Sequence, residues 1–152
     1  MVTKYFGGTV SAAHPMLERD HASNWMGIRV LTAQLGHAII EMDIKHEMVN
    51  GFGIIHGGMT FAFADTAFAL ACNHSDPELY AQSITVGAGV DVNYIASAYE
   101  GQTLRAEANL TAQYGRNSIV DVTVTCGDKL IAEFRGRGRS IKPPTATEGY
   151  QA

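Results

Sequence analysis

The residues that could do chemistry in this sequence lie around one aspartate. Asp65 is the single charged residue in the apolar run Met59–Cys72, and a histidine and two glycines precede that run at His56–Gly58. Burying an ionised carboxylate is costly unless a partner compensates for the lost water. Asp65 therefore has either a catalytic role or a structural one, in which hydroxyl groups such as that of Thr66, or a partner elsewhere in the chain, hold the carboxylate.

The two glycines stand where a helix would begin, and this position suits the binding of negative charge. The first N–H groups of a helix have no partner within the helix, and the helix dipole is positive there. Glycine also lets a ligand approach the backbone closely. We predict that the Gly57 N–H stabilises an oxyanion and that Asp65 activates water or attacks directly. The alternative is that the glycines only start the helix.

Composition excludes several classes of protein. The chain has 152 residues, 46% of them hydrophobic, with a net charge of −4 and a pI of about 5.8, which argues against general nucleic-acid binding. Cys72 and Cys126 are far apart and lack metal-ligand spacing, so we expect free thiols and no metal. The sequence shows no signal peptide, and Met59–Cys72 is too short to span a membrane. The expected location is the cytoplasm, with no membrane or nucleic-acid partner.

Hydrophobic patterns predict the order of the elements. A helix is expected over 14–28, ended by Gly27, and a hairpin of two strands turns near Gly36. A long buried helix follows from Gly57 to Cys72. The segment 73–80 is predicted to be a connection without regular structure. Segments with alternating hydrophobicity and many β-branched residues then predict four strands, over residues 84–96, 103–114, 118–126 and 129–141.

This order predicts an α+β fold in which an antiparallel sheet of about six strands wraps around the long helix. No repeat and no second domain are visible. We expect a flexible N-terminus over residues 1–13, one domain over 14–142, and a disordered tail over 143–152.

The motif around the aspartate resembles that of a known family. The sequence NGFGIIHGGMTFAFADTA, residues 50–67, is similar to the signature of hotdog-fold acyl-CoA thioesterases. It is most similar to the phenylacetic acid degradation (PaaI-type) thioesterases, and the resemblance extends from about Leu17 to Ile141. It implies hydrolysis of the thioester between coenzyme A and an aryl-acetyl or related acyl group. Coenzyme A is then part of the substrate, and no separate cofactor is expected.

The resemblance also implies further site residues and an oligomer. The family counts the asparagine that matches Asn50 in its site, although an ordinary Asn-Gly turn would explain Asn50 as well. His56 is expected to support the oxyanion site by positioning the loop or contacting the thioester, although it could act directly as acid or base or simply cap the helix. Gly57 and Asp65 are eight residues apart, about 12 Å along a helix, so one carbonyl group cannot easily reach both. We predict a site shared across a two-fold dimer, and the family commonly pairs such dimers into tetramers.

Basic and aromatic residues are candidates for binding coenzyme A. Arg135, Arg137 and Arg139 alternate along the last strand and share one face, where they could hold phosphates or simply form a solvated surface. The turn Gly115-Arg116-Asn117 is similar to the family's glycine-basic turn near coenzyme A. The segment from Tyr94 to Tyr99 could flank the pantetheine arm. Where related enzymes place a hydroxyl residue that holds water, this chain has 86–89, Val-Gly-Ala-Gly, so that residue stays open.

Three other functions are alternatives to a thioesterase. A non-catalytic acyl-CoA-binding hotdog protein would keep the arginines but would not need Asp65. A hotdog dehydratase would need a histidine paired with an acidic residue at other positions, and the sequence shows no such pair. A purely structural module would not explain a lone charge in a buried helix. The sequence does not select the acyl group, nor does it decide between nucleophile and general base for Asp65.

Overall fold

The computed structural model describes residues 14–144. These residues form one six-stranded antiparallel sheet and three α-helices. The helices are α1 (His21–Met26), α2 (Gly57–Cys72) and α3 (Pro77–Gln82). The strands are β1 (Arg29–Gln34), β2 (His37–Asp43), β3 (Ile84–Tyr94), β4 (Thr103–Tyr114), β5 (Asn117–Cys126) and β6 (Lys129–Ile141).

The strand order is β1-β2-β4-β5-β6-β3, so β3 and β1 lie at the two edges. The segment between β2 and β3 must therefore pass from one side of the sheet to the other, and α2, which belongs to this segment, packs on the inner face. The α+β fold that the sequence predicts, with six antiparallel strands around a long helix, is confirmed. The predicted N-terminus (1–13) and most of the predicted tail (145–152) lie outside the described residues.

Helix α2 is buried because it is apolar on nearly all sides. Its buried side chains include Phe63, Leu70 and Phe68, with alanines between them. A helix of this composition has no face suited to water, so the sheet must curve around it. The core contains inward-facing residues of every strand except β3, whose apolar residues pack at its border. Within residues 14–144 no helix combines the length and the apolar character needed to cross a membrane.

Strand β6 fits closely around α2 because glycine alternates with arginine along it. Gly136 and Gly138 face inward and are buried, while the arginines between them face outward. A β-carbon on Gly136 would lie 2.9 Å from ring carbon Cγ of Phe68, and closer still to Cδ2 and Cε2. The missing side chain thus makes room for the Phe68 ring, which also packs against Phe134.

The helix predicted over 14–28 is wrong in its extent. The chain forms a 3-10 turn at Pro15–Leu17 and then the separate helix α1. Asp20 divides the two, because its backbone leaves the helical conformation and its side chain accepts a hydrogen bond from Ser23 N at 2.9 Å. This is N-cap geometry, which starts a new helix. Gly27 ends α1 as predicted, in the left-handed conformation with φ of 72°.

The connection predicted over 73–80 contains a helix that the sequence reading missed. Helix α3 begins at Pro77, and the Asp76 carboxylate caps it by accepting hydrogen bonds from Glu78 N and Leu79 N at 2.8 and 3.1 Å. The Asp-Pro pair was the available signal, because aspartate favours the N-cap and proline the first helical position.

We predict that Gly136→Ala destabilises the protein by about 1–3 kcal/mol, because the new methyl group would overlap the buried Phe68 ring. Urea denaturation measures the change. Gly87→Ala is the matched control, since its β-carbon would lie an ordinary 3.8 Å from the same ring. It should change the free energy of unfolding by less than about 0.5 kcal/mol. Equal stability of the two variants would contradict the packing argument.

Candidate active site

The N-terminus of α2 presents one free donor. His56 is the N-cap, and its Nδ1 accepts a hydrogen bond from Gly58 N at 2.9 Å. The Gly57 N–H donates no hydrogen bond to any other described residue. Of the two glycine donors, the cap occupies one and leaves the other for a ligand. Capping is one of the roles that the sequence left open for His56, and Gly57 has a free N–H as an oxyanion donor requires.

Asn50 shapes the loop that leads to α2. Its side-chain oxygen accepts hydrogen bonds from Phe52 N at 2.9 Å and Ile54 N at 3.4 Å, and its backbone N–H donates to Ile54 O at 2.8 Å. This is the Asn turn considered as the alternative to a site role. The same contacts leave the Nδ2 group without a partner among the described residues. The turn and the site role are therefore compatible.

Tyr94, at the end of β3, lies directly against the start of α2. Its hydroxyl donates to Gly57 O at 3.1 Å, and its ring would be 3.2 Å from a β-carbon on Gly57. Gly57 thus has two reasons to be glycine, since a side chain would crowd the tyrosine and would also hinder a ligand's approach to the donor. The sequence predicted a contact of Tyr94 with the pantetheine arm, and the structure brings it to the predicted oxyanion donor.

A cavity of about 270 Å³ opens beside this donor. The loop before α2, the start of α2, the end of β3 with the segment after it, and the start of β6 line this cavity. The lining residues are Asn50, Ile54, Ile55, Gly57, Thr60, Tyr94, Ile95, Ala96, Ser97 and Ile131. The sequence reading missed Thr60, although it lies three residues after Gly57, on the same side of the helix. The 95–97 segment belongs to 94–99, which the sequence predicts to flank the pantetheine arm, and its residues line the cavity beside Tyr94.

Asp65 lies half-buried two turns further along α2 and makes no hydrogen bond or ion pair with any described residue. Burial raises the pKa of its carboxyl group. The structural alternative involved Thr66, but the Thr66 hydroxyl donates to Ala62 O at 3.1 Å and contacts Ser23 Oγ at 3.2 Å. The aspartate is therefore a half-buried carboxylate without the local partner that a structural role requires.

Asp65 does not line the cavity that holds Asn50 and Gly57. The separation expected from the sequence, about 12 Å along the helix axis, applies because α2 is continuous from Gly57 to Cys72. Within one copy of the chain, the predicted oxyanion donor and the carboxylate therefore lie too far apart to act easily on the same carbonyl group.

The three arginines of β6 share one face, as their spacing predicts. Arg135 Nε donates to Asp121 at 2.6 Å, and Arg137 donates to Asp91 at 2.8 Å. The Arg135 bond holds the pKa of Asp121 below its usual range. Arg139 lies 3.5 Å from Asn117 Oδ1. All three lie on the outer face of the sheet, away from the cavity.

The turn Gly115-Arg116-Asn117 joins β4 to β5, with Gly115 left-handed at φ of 55°. Arg116 O accepts a hydrogen bond from Ser140 N at 2.8 Å, which ties the turn to the end of β6. The cavity lies at the other end of β6. About ten residues of strand separate the two regions, which is about 30 Å.

The sequence and the fold of this chain are similar to those of known proteins. A family model described as the thioesterase superfamily matches residues 52–133, which contain α2 and its glycines. The chain belongs to the thioesterase superfamily. The acyl-coenzyme A thioesterase PaaI of Escherichia coli K12 is 32% identical over 130 residues, covering 85% of this chain and 89% of that protein. The predicted resemblance to PaaI-type thioesterases is confirmed.

Solved structures give the same result for this thioesterase. The PaaI protein from the phenylacetic acid degradation operon of E. coli is similar with a TM-score of 0.77 and 30% identity, over 84% of this chain and 89% of that one. The TT0310 protein of Thermus thermophilus is similar with a TM-score of 0.72 and 29% identity, over 80% and 97%. Both likenesses extend over most of the domain.

Histidine, cysteine and acidic side chains form no cluster of three or more that could hold a metal ion anywhere in residues 14–144. Cys72 and Cys126 are free thiols, as expected. Burial raises the pKa of Cys72 to about 11, so this thiol stays protonated and is unsuited to nucleophilic attack. Asp65 remains the candidate for that role.

We predict that Asp65→Asn stabilises this thioesterase at neutral pH by about 0.5–2 kcal/mol, because it removes an unpaired charge from a half-buried position. A raised pKa in the folded state means that the protonated form is favoured. The cost of Asp65 is therefore absent at acidic pH and complete once the pH exceeds the folded-state pKa. The gain should grow as the pH rises. Thermal unfolding of both proteins across pH measures it, and a less stable variant at neutral pH would contradict this account.

Proposed function

We propose that this protein is an acyl-CoA thioesterase that hydrolyses an aryl-acetyl or related acyl-CoA to the free acid and coenzyme A. The observation that carries the proposal is the free N–H of Gly57 at the start of a buried helix that also carries the unpaired carboxylate of Asp65. The name of the E. coli relative, an acyl-coenzyme A thioesterase, supports the choice of substrate class.

The proposed reaction needs only water. The thioester carbonyl oxygen accepts a hydrogen bond from Gly57 N–H, which stabilises the negative charge that develops there. Asp65 takes a proton from water as the water oxygen adds to the carbonyl carbon. The carbon–sulfur bond then breaks, and the leaving thiolate receives a proton. Direct attack by Asp65, followed by hydrolysis of the anhydride, gives the same products. Neither route requires a metal or a separate cofactor.

Asn50 and His56 have supporting roles in this proposal. The Nδ2 group of Asn50 is free to donate to the carbonyl oxygen or to orient the water. His56 accepts the hydrogen bond of Gly58 N–H, so that of the two glycines that begin α2 only Gly57 has a free N–H. Tyr94 fixes the first turn of α2 through its bond to Gly57 O.

The separation of Gly57 from Asp65 supports a site built by two copies of the chain. Strand β3 is an edge strand of eleven residues, and Asp91 is the single charged residue along it. A long edge with so little charge is suited to pairing with a second strand. Two copies that pair antiparallel there are related by a two-fold axis, which can bring Asp65 of one near Gly57 of the other.

The same pairing gives the distant basic groups a place in the site. Antiparallel pairing puts the Ile84 end of one β3 beside the Tyr94 end of the other. Ile84 pairs with Ile141 at the end of β6, close to Arg139 and the turn of Arg116. These groups of the second copy would thus lie at the same end of the sheet as the cavity, where they can meet coenzyme A. A tetramer formed by two such dimers completes the proposed assembly.

We expect wild-type protein to release free thiol from phenylacetyl-CoA or a related arylacyl thioester, and Asp65→Asn to lower kcat by about 100-fold or more. The matched control is Asp76→Asn, which changes the carboxylate that caps α3 and does not line the cavity. Retained coenzyme A binding by Asp65→Asn, measured by calorimetry, would show an intact site. Binding without hydrolysis by the wild type would instead indicate an acyl-CoA-binding protein.

The shared site predicts complementation between two inactive variants. Co-expressed Gly57→Pro and Asp65→Asn chains form mixed dimers in which one site has both defects and the other has neither. Gly57→Pro removes the donor N–H at a helix position that tolerates proline, and the half-exposed Tyr94 ring has room to shift aside. With random pairing, half the dimers are mixed, so about a quarter of wild-type activity should return. Activity no higher than that of the two variants assayed separately would mean that each chain builds its own site.

A further inference from the structure

A β-bulge in β6 turns the side chain of its first residue, Lys129, toward the side of the sheet on which the cavity lies. Thr125 pairs with Leu130 and Val124 pairs with Ala132, so Ile131 is an extra residue in the ladder. Ile131 and Ala132 are both buried, although neighbours in a regular strand face opposite sides. Lys129 and Arg135 would share a face in a regular strand. The bulge between them separates Lys129 from the outer face that carries the arginines.

Two contacts hold the Lys129 side chain. Its ammonium nitrogen donates to Ser97 O at 2.6 Å and lies 5.8 Å from the centre of the Tyr99 ring. Ser97 lines the cavity beside Gly57. Lys129 is exposed and the Tyr99 ring is half exposed. A positive charge is therefore fixed at the rim of the cavity, on the solvent side.

This charge is available, unlike those of most arginines on the sheet. Arg29, Arg105, Arg135 and Arg137 each have a carboxylate partner, whereas Lys129 forms no ion pair with any residue from 14 to 144. A lysine ammonium has three donors, and the Ser97 carbonyl uses one of them. Two donors remain for a ligand that approaches from solvent.

We propose that Lys129 binds a phosphate group of the acyl-CoA at the mouth of the cavity. This inference rests on the proposed function, because it extends that site toward the nucleotide end of the substrate. A thioester held at Gly57 sends its pantetheine arm out through the open mouth, and the first strongly charged groups beyond that arm are phosphates. The ammonium that Tyr99 and Ser97 hold at the rim provides the complementary charge.

The test compares thioesters of one acyl group that differ only in their phosphates. Phenylacetyl-CoA, phenylacetyl-dephospho-CoA and phenylacetyl-pantetheine are assayed with wild type and Lys129→Met, which keeps a flexible stem of similar length. We expect the variant to raise KM for the CoA thioester about tenfold with kcat unchanged, and to leave kcat/KM for the pantetheine thioester unchanged. Lys129→Arg should restore the lower KM. An effect that disappears with dephospho-CoA identifies the ribose phosphate, and one that persists identifies the diphosphate.

Lys45→Met is the matched control, because Lys45 also donates to a backbone carbonyl, that of Trp25, and lies 5.6 Å from the Trp25 ring. It should not change the ratio of the KM values for CoA and pantetheine thioesters. An equal KM for wild type and Lys129→Met, or an equal rise in KM with the pantetheine thioester, would overturn the role of Lys129.

If the wild type hydrolyses no thioester, the proposed function fails separately. Calorimetry with coenzyme A then decides: weaker binding by Lys129→Met supports the inference, and equal binding or none overturns it.

Discussion

The rest of the structure depends on the burial of α2 across the inner face of the sheet. An apolar helix with alanine on most sides needs a curved, closely fitting surface, and β6 supplies it with Gly136 opposite the Phe68 ring. The first turn of the packed helix lies at the end of β3, where Tyr94 holds it. The position of the predicted oxyanion donor is thus a consequence of how the core packs.

The same burial sets the chemistry of Asp65. A carboxylate in this helix loses part of its contact with water, which raises its pKa and makes it a better base than an exposed aspartate. No described neighbour compensates for the lost hydration. An unpaired, partly buried carboxylate lowers the free energy of unfolding, and proteins commonly retain such a group where it performs the reaction. The lone charge in an apolar run is explained by function better than by packing.

Patterns that are local in the chain predicted most of the fold. The HGG sequence and the apolar run predicted where α2 begins and ends, and period-two alternation predicted six strands. Where a single side chain changed the outcome, the sequence reading missed it, as at Asp20, which divides the first helix, and at Asp76, which caps α3. The pattern of hydrophobicity does not contain these capping interactions.

The sequence identified candidate site residues on and around α2. It did not predict the surface that these residues form together with residues of distant segments. Alternation correctly put Arg135, Arg137 and Arg139 on one face, but the carboxylates that occupy Arg135 and Arg137 come from β5 and β3. Ile131, which reaches the cavity from β6, has no local signal either. Partner choice and cavity shape depend on how strands are ordered in the sheet, which local periodicity does not specify.

One chain places its two candidate catalytic groups on one rigid helix, and its basic turn at the opposite end of the sheet from the cavity. Rigid elements cannot close these distances by small movements, since α2 is packed on nearly every side and β6 is hydrogen-bonded on both edges. A two-fold axis beside β3 solves both problems in one operation, because it reverses the direction of every element. The long edge strand and the divided site therefore support the same assembly for independent reasons.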